Sequence, residues 1–457
     1  MFAVLKAKRA YAKVRPMLGD GSSVLIGLHV TTTFLRLGSN LILTRLLAPE
    51  VYGIVGIVTS VSYILTMVSD MGLRAYVTRH PTADERVIQT IWTVRLLRNL
   101  VLATIMFLGA GVFAQLYAAP EVTGAIRIAS ALFLVDAMAS MSFLTGERDR
   151  RVIRISVISF IRFLFITAVT IGMAVILRNY WAVIISMFAG SLFTVFSSHM
   201  LLPGHPVRLR FDVKSAIDLW KFSRFVIPAS MISIVLTQTD KFVIANFFPL
   251  AELGKFMLAT TGVVALNALV SEYIMKVFYP NFAQAVRANA DNLLRLYYDP
   301  RTRVTLMLAF GIGGLIGGGE LVVRLLLNDL YLGTGFYISI LCLQPLARLS
   351  TAPAEVALIS KGFIRASLTA NVLRLIWVAC AGTAAYFLWG PLAVVIAMCL
   401  TEVALLPFFL WNQHRHRIFG PWDELKIAGV AVAGFWIGWA FNALAIWLVA
   451  AGYLPSF

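Results

Sequence analysis

Long apolar segments separated by short polar breaks run the length of the chain and limit what it can become. They lie near residues 21–46, 49–72, 88–116, 123–146, 153–177, 180–201, 222–247, 252–279, 302–327, 336–360, 364–388, 391–412 and 426–451. A helix needs about 20 apolar residues to cross a bilayer core, and each segment meets that length. Apolar residues make up 60% of the 457 and charged residues 13%, about half the charged share of a soluble domain. Mean hydropathy is +0.83. Soluble cores cannot hide that much apolar surface. The pattern predicts an all-α polytopic membrane protein of about 12–13 transmembrane helices, with no room for a folded soluble domain.

The polar breaks carry nearly all their positive charge on one side. The N-terminus holds Lys6, Lys8, Arg9, Lys13 and Arg15. Alternate breaks hold Arg74, Arg79 and Arg86; Arg148, Arg150, Arg151 and Arg154; Arg208, Arg210, Lys214, Lys221 and Arg224. The series continues with Arg287, Arg295, Arg301 and Arg303; Lys361 and Arg365; Arg415, Arg417 and Lys426. That is 26 of the 39 Lys and Arg, and the opposite breaks hold only Arg178. Cytoplasmic loops collect Lys and Arg. The asymmetry therefore sets the register, places the N-terminus in the cytoplasm and, with thirteen spans, the C-terminus outside. It also accounts for a net charge of +17 without nucleic acid as a partner. Residues 1–20 have no uninterrupted apolar core and read as a cytoplasmic amphipathic segment, not a cleavable signal peptide. Cys342, Cys380 and Cys399 fall in apolar stretches with no metal or disulfide spacing, as small buried side chains do.

The longest polar break of the first half, 203–221, holds two prolines and a basic amphipathic stretch. It divides an N-lobe at 21–202 (spans one to six) from a C-lobe at 222–412 (spans seven to twelve), leaving 413–457 as a basic loop and an additional span. The lobes echo each other. NLILTRLLAPEVYGIVGI (Asn40–Ile57) and DKFVIANFFPLAELGKFML (Asp240–Leu258) each run from a polar residue through a Pro/Ala/Glu turn to a glycine opening the next helix. Repeated halves are common in transporters.

Charges inside the spans carry the functional signal. Arg45, Arg127, Lys255 and Lys276 lie near span ends and can snorkel. Arg36, Arg95, Arg98, Arg162, Arg348 and Arg374 sit deeper, and exposing all six to lipid costs on the order of 18 kcal/mol at ~3 kcal/mol each. His29, Thr33, Arg36, Asn40 and Thr44 recur at helical spacing on one face of span one. Arg95, Arg98 and Asn99 share a face of span three; Gln344, Arg348, Thr351 and Glu355 line span ten; Asn371 and Arg374 lie on span eleven. Polar faces from both lobes predict a central cationic cavity. Its candidate anion-binding residues are Arg36, Asn40, Arg95, Arg98, Arg162, Arg348 and Arg374, because arginine offers a fixed, always-charged fork suited to phosphate. The plainer role for any one of them is an inter-helix salt bridge. Asp136, Asp240, Glu272, Glu355 and Glu402 are candidates for ion coupling or a charge switch, or else partners for a nearby arginine. Glu320 and Arg324 form an i,i+4 pair.

Other motifs point away from catalysis. GIGGLIGGG (Gly311–Gly319) lies within a span, follows no strand and lacks the Lys-Ser/Thr of a phosphate loop, so it reads as a close helix-packing surface. His414 and His416 have no further ligands nearby. The outer loops are a few residues long, too short for the extramembrane site of a glycan-transfer enzyme. No cofactor, metal or catalytic residue is expected.

LGSNLILTRLLAPEVYGIVGIVTSVSYILTMVSDMGLRAYVTR (Leu37–Arg79) and TQTDKFVIANFFPLAELGKFMLA (Thr237–Ala259) resemble the signature segments of the two lobes of Wzx-type polysaccharide flippases. These belong to the multidrug/oligosaccharidyl-lipid/polysaccharide exporter superfamily. The resemblance implies two pseudo-symmetric six-helix lobes around a central cavity in the bacterial inner (cytoplasmic) membrane. It implies flipping of an undecaprenyl-diphosphate-linked oligosaccharide by alternating access, with the arginines on the diphosphate, membrane lipids around the tail, and polysaccharide polymerase machinery as a working partner. The family commonly has twelve or fourteen spans, and thirteen departs from that. A drug or cation antiporter of the same superfamily is the first alternative reading, and a membrane glycan polymerase or ligase the second.

Overall fold

The computed structural model describes residues 21–79, 84–149, 151–202, 207–287 and 292–451. The expected amphipathic segment at 1–20 and the Pro203–Pro206 turn of the expected linker lie outside the described residues. Among the described residues there is no strand, and all thirteen expected segments are helical.

In chain order the helices are α1 (Gly21–Leu46), α2 (Pro49–Val68), α3 (Leu73–Arg79), α4 (Glu85–Leu108), α5 (Ala110–Leu116), α6 (Thr123–Ala137), α7 (Ser142–Arg148), α8 (Val152–Leu177), α9 (Trp181–Met200) and α10 (Val213–Phe247). They continue with α11 (Leu250–Tyr273), α12 (Tyr279–Arg287), α13 (Leu293–Leu326), α14 (Thr334–Leu341), α15 (Leu343–Ser360), α16 (Ile364–Trp389), α17 (Pro391–Cys399), α18 (Thr401–Arg415) and α19 (Pro421–Ala450). Among the described residues ten helices are long and apolar enough to cross a membrane, or eleven if the bent pair α6–α7 counts as one span. The thirteen expected spans thus resolve unevenly. The polar stripe of α1 dilutes its hydropathy. The segment expected at 336–360 is interrupted at Cys342, and its longer half carries Gln344, Arg348 and Glu355.

The other departures from regular helix have local causes. Between α6 and α7 the chain bends by 53°. There Ser140 and Ser142 turn to the end of α9 instead of continuing the helix: both hydroxyls donate to the Ser198 carbonyl, at 2.8 and 2.5 Å. The last turn after α11, Ile274–Phe278, is a π-helix. Helix α10 starts at Val213, so the end of the expected linker is already helical. Asp212 caps it, accepting from the Ser215 amide at 2.9 Å and the Ser215 hydroxyl at 2.6 Å. Those two donors hold the Asp212 carboxyl below the usual carboxylate range.

The chain divides into two compact units. The first comprises Met1–Leu47, Val61–Ala114 and Pro120–Met231; the second comprises Ala48–Ser60, Gln115–Ala119 and Ile232–Phe457. In the first unit, Leu73, Tyr76, Val77, Ile88, Ile91, Met141 and Leu219 form a buried cluster. Beside it Asp70 accepts from the Gly72 amide at 2.9 Å and the Ser230 hydroxyl at 3.0 Å.

In the second unit the glycine-rich segment is a packing surface, as its composition predicts. A side chain on Gly313 or Gly317 would run into the backbone of Ala431 or Phe435, and one on Gly434 or Gly438 into that of Phe310 or Gly314. The last helix, α19, is therefore seated backbone to backbone along α13. The two echoing segments also meet here. A side chain on Gly53 would strike the Leu250 carbonyl, and one on Gly254 the Pro49 carbonyl. Each glycine faces the residue four positions before the other, a reciprocal contact of the kind equivalent segments make. Of the three free cysteines, Cys342 and Cys399 are buried as expected, whereas Cys380 is exposed.

Candidate functional site

Three of the six deep arginines lie in the first unit, Arg95 and Arg162 in the field of Asp136 and Arg98 in that of Asp70. Trp92, Arg95 and Asn99 recur at i, i+3 and i+7 on α4 and face the break after α6. The bend leaves carbonyls there without intrahelical donors. Arg95 Nη2 donates to the carbonyls of Asp136 (2.8 Å), Ala137 (3.4 Å) and Ala139 (2.6 Å). Trp92 Nε1 donates to the same Ala139 oxygen at 3.2 Å, and Asn99 Nδ2 to the Phe133 oxygen at 3.1 Å. Arg95 thus holds a broken helix together.

Arg98 binds the end of α2. Its Nε donates to the Ser69 hydroxyl at 3.0 Å and its Nη2 to the Thr66 carbonyl at 3.2 Å, while its Nη1 makes no hydrogen bond among the described residues. Arg162, on α8, spends only Nε, on the Gly190 carbonyl of α9 at 3.1 Å. Gly190 leaves the room that admits this guanidinium and Ile166. The Asp136 carboxylate faces the Ser191 hydroxyl and lies in the fields of Arg162 and Arg95. On α1, Arg36 sits 5.8 Å above the Phe163 ring and makes no ion pair among the described residues. Asn40, a turn later, is half-buried with no side-chain hydrogen bond among them.

The second unit brings three predicted residues into one triad. Arg374 Nε lies 3.0 Å from Glu402 Oε1, and Arg374 Nη2 lies 3.3 Å from Glu355 Oε2. Its Nη1 donates to Asn371 at 2.8 Å. Thr351 donates to Glu402 at 2.9 Å, and Ser367 donates to Glu355. Arg374 is therefore engaged by two carboxylates, the plainer of the two roles the sequence allows it. The triad holds one more carboxylate than cation. Arg348 lies on α15 between these groups and the chain break at Cys342; it is half-buried and has no hydrogen bond or ion pair among the described residues. Asp240 is occupied locally, with Lys241 Nζ at 3.5 Å. Glu272 is half-buried in the last turn of α11. Glu320 and Arg324 pair at 3.7 Å, as their spacing predicts.

One cluster escaped the sequence. Arg301, counted above as a cytoplasmic loop cation, is buried to 1% exposure and paired with Glu424 in the first turn of α19. Its guanidinium lies 4.3 and 4.6 Å over the rings of Tyr297 and Tyr298 and donates to the Leu349 carbonyl at 3.1 Å. Tyr298 and Ser350 donate their hydroxyls to Glu424. The available signal was the Tyr-Tyr pair one turn before the arginine.

The fold has known relatives. It resembles lipid II flippase MurJ in an inward closed conformation, with a TM-score of 0.69 at 11% identity, over 96% of this chain and 93% of that one. An inward-facing multidrug resistance MATE family transporter of the MOP superfamily matches with a TM-score of 0.58 at 13% identity, over 89% and 98%. At these identities the likeness is one of fold. In sequence, the succinoglycan biosynthesis transport protein ExoT of Rhizobium meliloti (strain 1021) is 25% identical over 289 residues, 62% of this chain and 57% of that protein. The teichuronic acid biosynthesis protein TuaB of Bacillus subtilis (strain 168) is 21% identical over 310 residues, 65% and 61% of the two lengths. The chain thus matches about three-fifths of each relative's length. Residues 42–335 match the family model described as polysaccharide biosynthesis protein, a range that takes in nearly all of both resembling segments. The chain is a member of that polysaccharide biosynthesis protein family.

Proposed function

We propose that the chain flips a polyprenyl-diphosphate-linked oligosaccharide across the bacterial inner membrane by alternating access, with its N-terminus in the cytoplasm. The observation that carries this reading is a set of membrane arginines that form no ion pair, with only Arg162 in the field of a carboxylate, that of Asp136. Arg36, Arg162 and Arg348 make no ion pair among the described residues. A cation in a span is retained only where something anionic or wet meets it, and a diphosphate fits the arginine fork. Arg98 has Nη1 to add. Arg95 and Arg374 act on the protein itself, each within its own unit. Family membership and the names of ExoT and TuaB support export of a glycan intermediate, and no residue arrangement described above supports glycan transfer.

The triad of Arg374, Glu355 and Glu402 serves as the charge switch in this proposal. Its surplus carboxylate takes up a cation in one state, and Arg374 answers the loss in the other. A cation or drug antiporter would use the same triad. It would have no use for the unpaired arginines, and that favours the anionic cargo.

The test is deletion of the gene in its host, with lipid-linked oligosaccharide measured in extracts and polysaccharide measured at the surface. The intermediate should accumulate and surface glycan should fall. The wild type should restore both, and Arg348→Ala and Arg36→Gln should not, at matched protein levels in the membrane. Normal glycan without accumulation would overturn the reading.

A further inference from the structure

The segment leading into α10 has a surface that transport does not use. Residues 207–212 form no regular element and lie across α4, with the Arg210 amide on the Thr93 hydroxyl at 3.1 Å and the Asp212 amide on the Thr90 hydroxyl at 3.2 Å. Thr93 is eight residues into a helix that begins at Glu85, so this crossing lies ~12 Å along α4 from its charged end.

Two elements here show the same arrangement. Arg208 and Arg210 alternate in sequence with Leu209 and Phe211, all four are exposed, and the two apolar side chains are 73% and 57% exposed. In the first turns of α10, Leu219 and Ser223 face the core. Val213, Ile217 and Trp220, spaced i, i+4 and i+7, form an exposed apolar stripe away from it. Lys214, Asp218 and Lys221 form the neighbouring stripe at the same spacing. Asp212 is used by the helix cap and Asp218 lies 3.6 Å from Lys221. Arg208, Arg210 and Lys214 make no ion pair among the described residues, although Asp212 lies in the fields of Lys214 and Arg210.

We propose that residues 207–221 form an interfacial binding surface for anionic phospholipid headgroups of the leaflet on that side. The apolar stripe seats in the acyl boundary, and Arg208, Arg210, Lys214 and Lys221 hold the phosphates. Apolar and cationic stripes side by side are what an in-plane membrane segment requires. Each cation near an anionic surface strengthens such binding about fivefold. The surface is independent of the transport reading, and only the naming of the leaflet as cytoplasmic rests on it.

The test places an environment-sensitive nitrobenzoxadiazole probe on Ile217→Cys in a Cys380→Ala background, where the remaining cysteines are buried. The full chain goes into nanodiscs of phosphatidylcholine alone or of an equal mixture with phosphatidylglycerol. Emission should shift to the blue and brighten in the anionic discs, and high salt should reverse this. Substituting Arg208→Gln, Arg210→Gln, Lys214→Gln and Lys221→Gln together should remove most of the response. As a folding control, Lys214→Gln alone should keep about four-fifths or more of the unfolding midpoint and weaken the response about fivefold. Equal emission in both discs would overturn the proposal, and is also what an acidic protein partner would give. An undiminished response in the fourfold variant would overturn it as well.

Discussion

Removing either charge of the Arg301–Glu424 pair should unseat the last helix, and the size of the loss follows from what each side chain touches. Arg301 is 1% exposed and the Glu424 side chain 11%. Substituting Arg301→Met keeps the volume but leaves a buried carboxylate with only the Tyr298 and Ser350 hydroxyls, and it removes both ring contacts. Breaking a buried pair from one side costs about 3–5 kcal/mol, and the lost ring contacts put this variant near the top of that range. Glu424→Gln strands the guanidinium but leaves it the faces of Tyr297 and Tyr298, for a cost of about 3 kcal/mol. At 1.4 kcal/mol per tenfold, these are about two to nearly four powers of ten in the unfolding equilibrium. The double variant, with no stranded charge, should lose about 3–4 kcal/mol rather than the roughly 8 kcal/mol of simple addition, a coupling of about 4 kcal/mol. The assay is equilibrium unfolding of the purified protein in mixed micelles, followed by tryptophan fluorescence. Single variants within about 1 kcal/mol of wild type, or additivity within about 0.5 kcal/mol, would refute the reasoning.

Further outcomes follow from the same contacts. Gly317→Val should loosen α13 from α19 and cost about 1–3 kcal/mol or more, since its side chain meets the Phe435 backbone and no flexible atom can yield; a limited-proteolysis time course should show earlier release of the last helix. Arg95→Met should destabilise by about 1–3 kcal/mol by stripping carbonyls of their donor, whereas Arg348→Gln should change stability by less than about 0.5 kcal/mol, measured in the same unfolding assay. At His416, burial and the neighbouring charges of Lys361 and Arg415 hold the imidazole below its ordinary value. The unfolded chain therefore takes up that proton first as pH falls. Stability should decline from the ordinary imidazole range downward, and His416→Phe, which keeps the ring on Phe363, should flatten that part of a melting-temperature profile against pH.

Most of the helix layout is legible because lipid leaves a backbone few choices. The glycine seam is legible too, because a run of glycines inside an apolar helix has little use except close approach. What a sequence hides is the partner. Arg301 and Glu424 lie 123 residues apart; Glu424 sits in the first turn of its helix and Arg301 where the apolar part of α13 begins, places where a charge normally meets water. Arg95 reads as a free cation at mid-span because nothing in Ala137–Ser142 shows that the helix breaks there and needs a donor. Arg374 could be placed on the polar face of its helix, but two carboxylates from two other helices decide its role. Conversely Arg36 and Arg348 keep the character the sequence gives them, since no acidic side chain among the described residues comes to them.

The central claim is that unpaired membrane arginines carry a diphosphate-linked glycan across the bilayer. Its most direct test is a proteoliposome assay with purified protein and a fluorescent polyprenyl-diphosphate oligosaccharide, scoring the appearance of the label to a membrane-impermeant quencher. The wild type should flip the lipid well above the rate of empty liposomes. Arg348→Gln and Arg36→Gln should each slow it about tenfold to a hundredfold, the worth of one hydrogen bond to a charged group, while remaining folded. A wild-type rate equal to that of empty liposomes, or arginine variants as fast as wild type, would contradict the account.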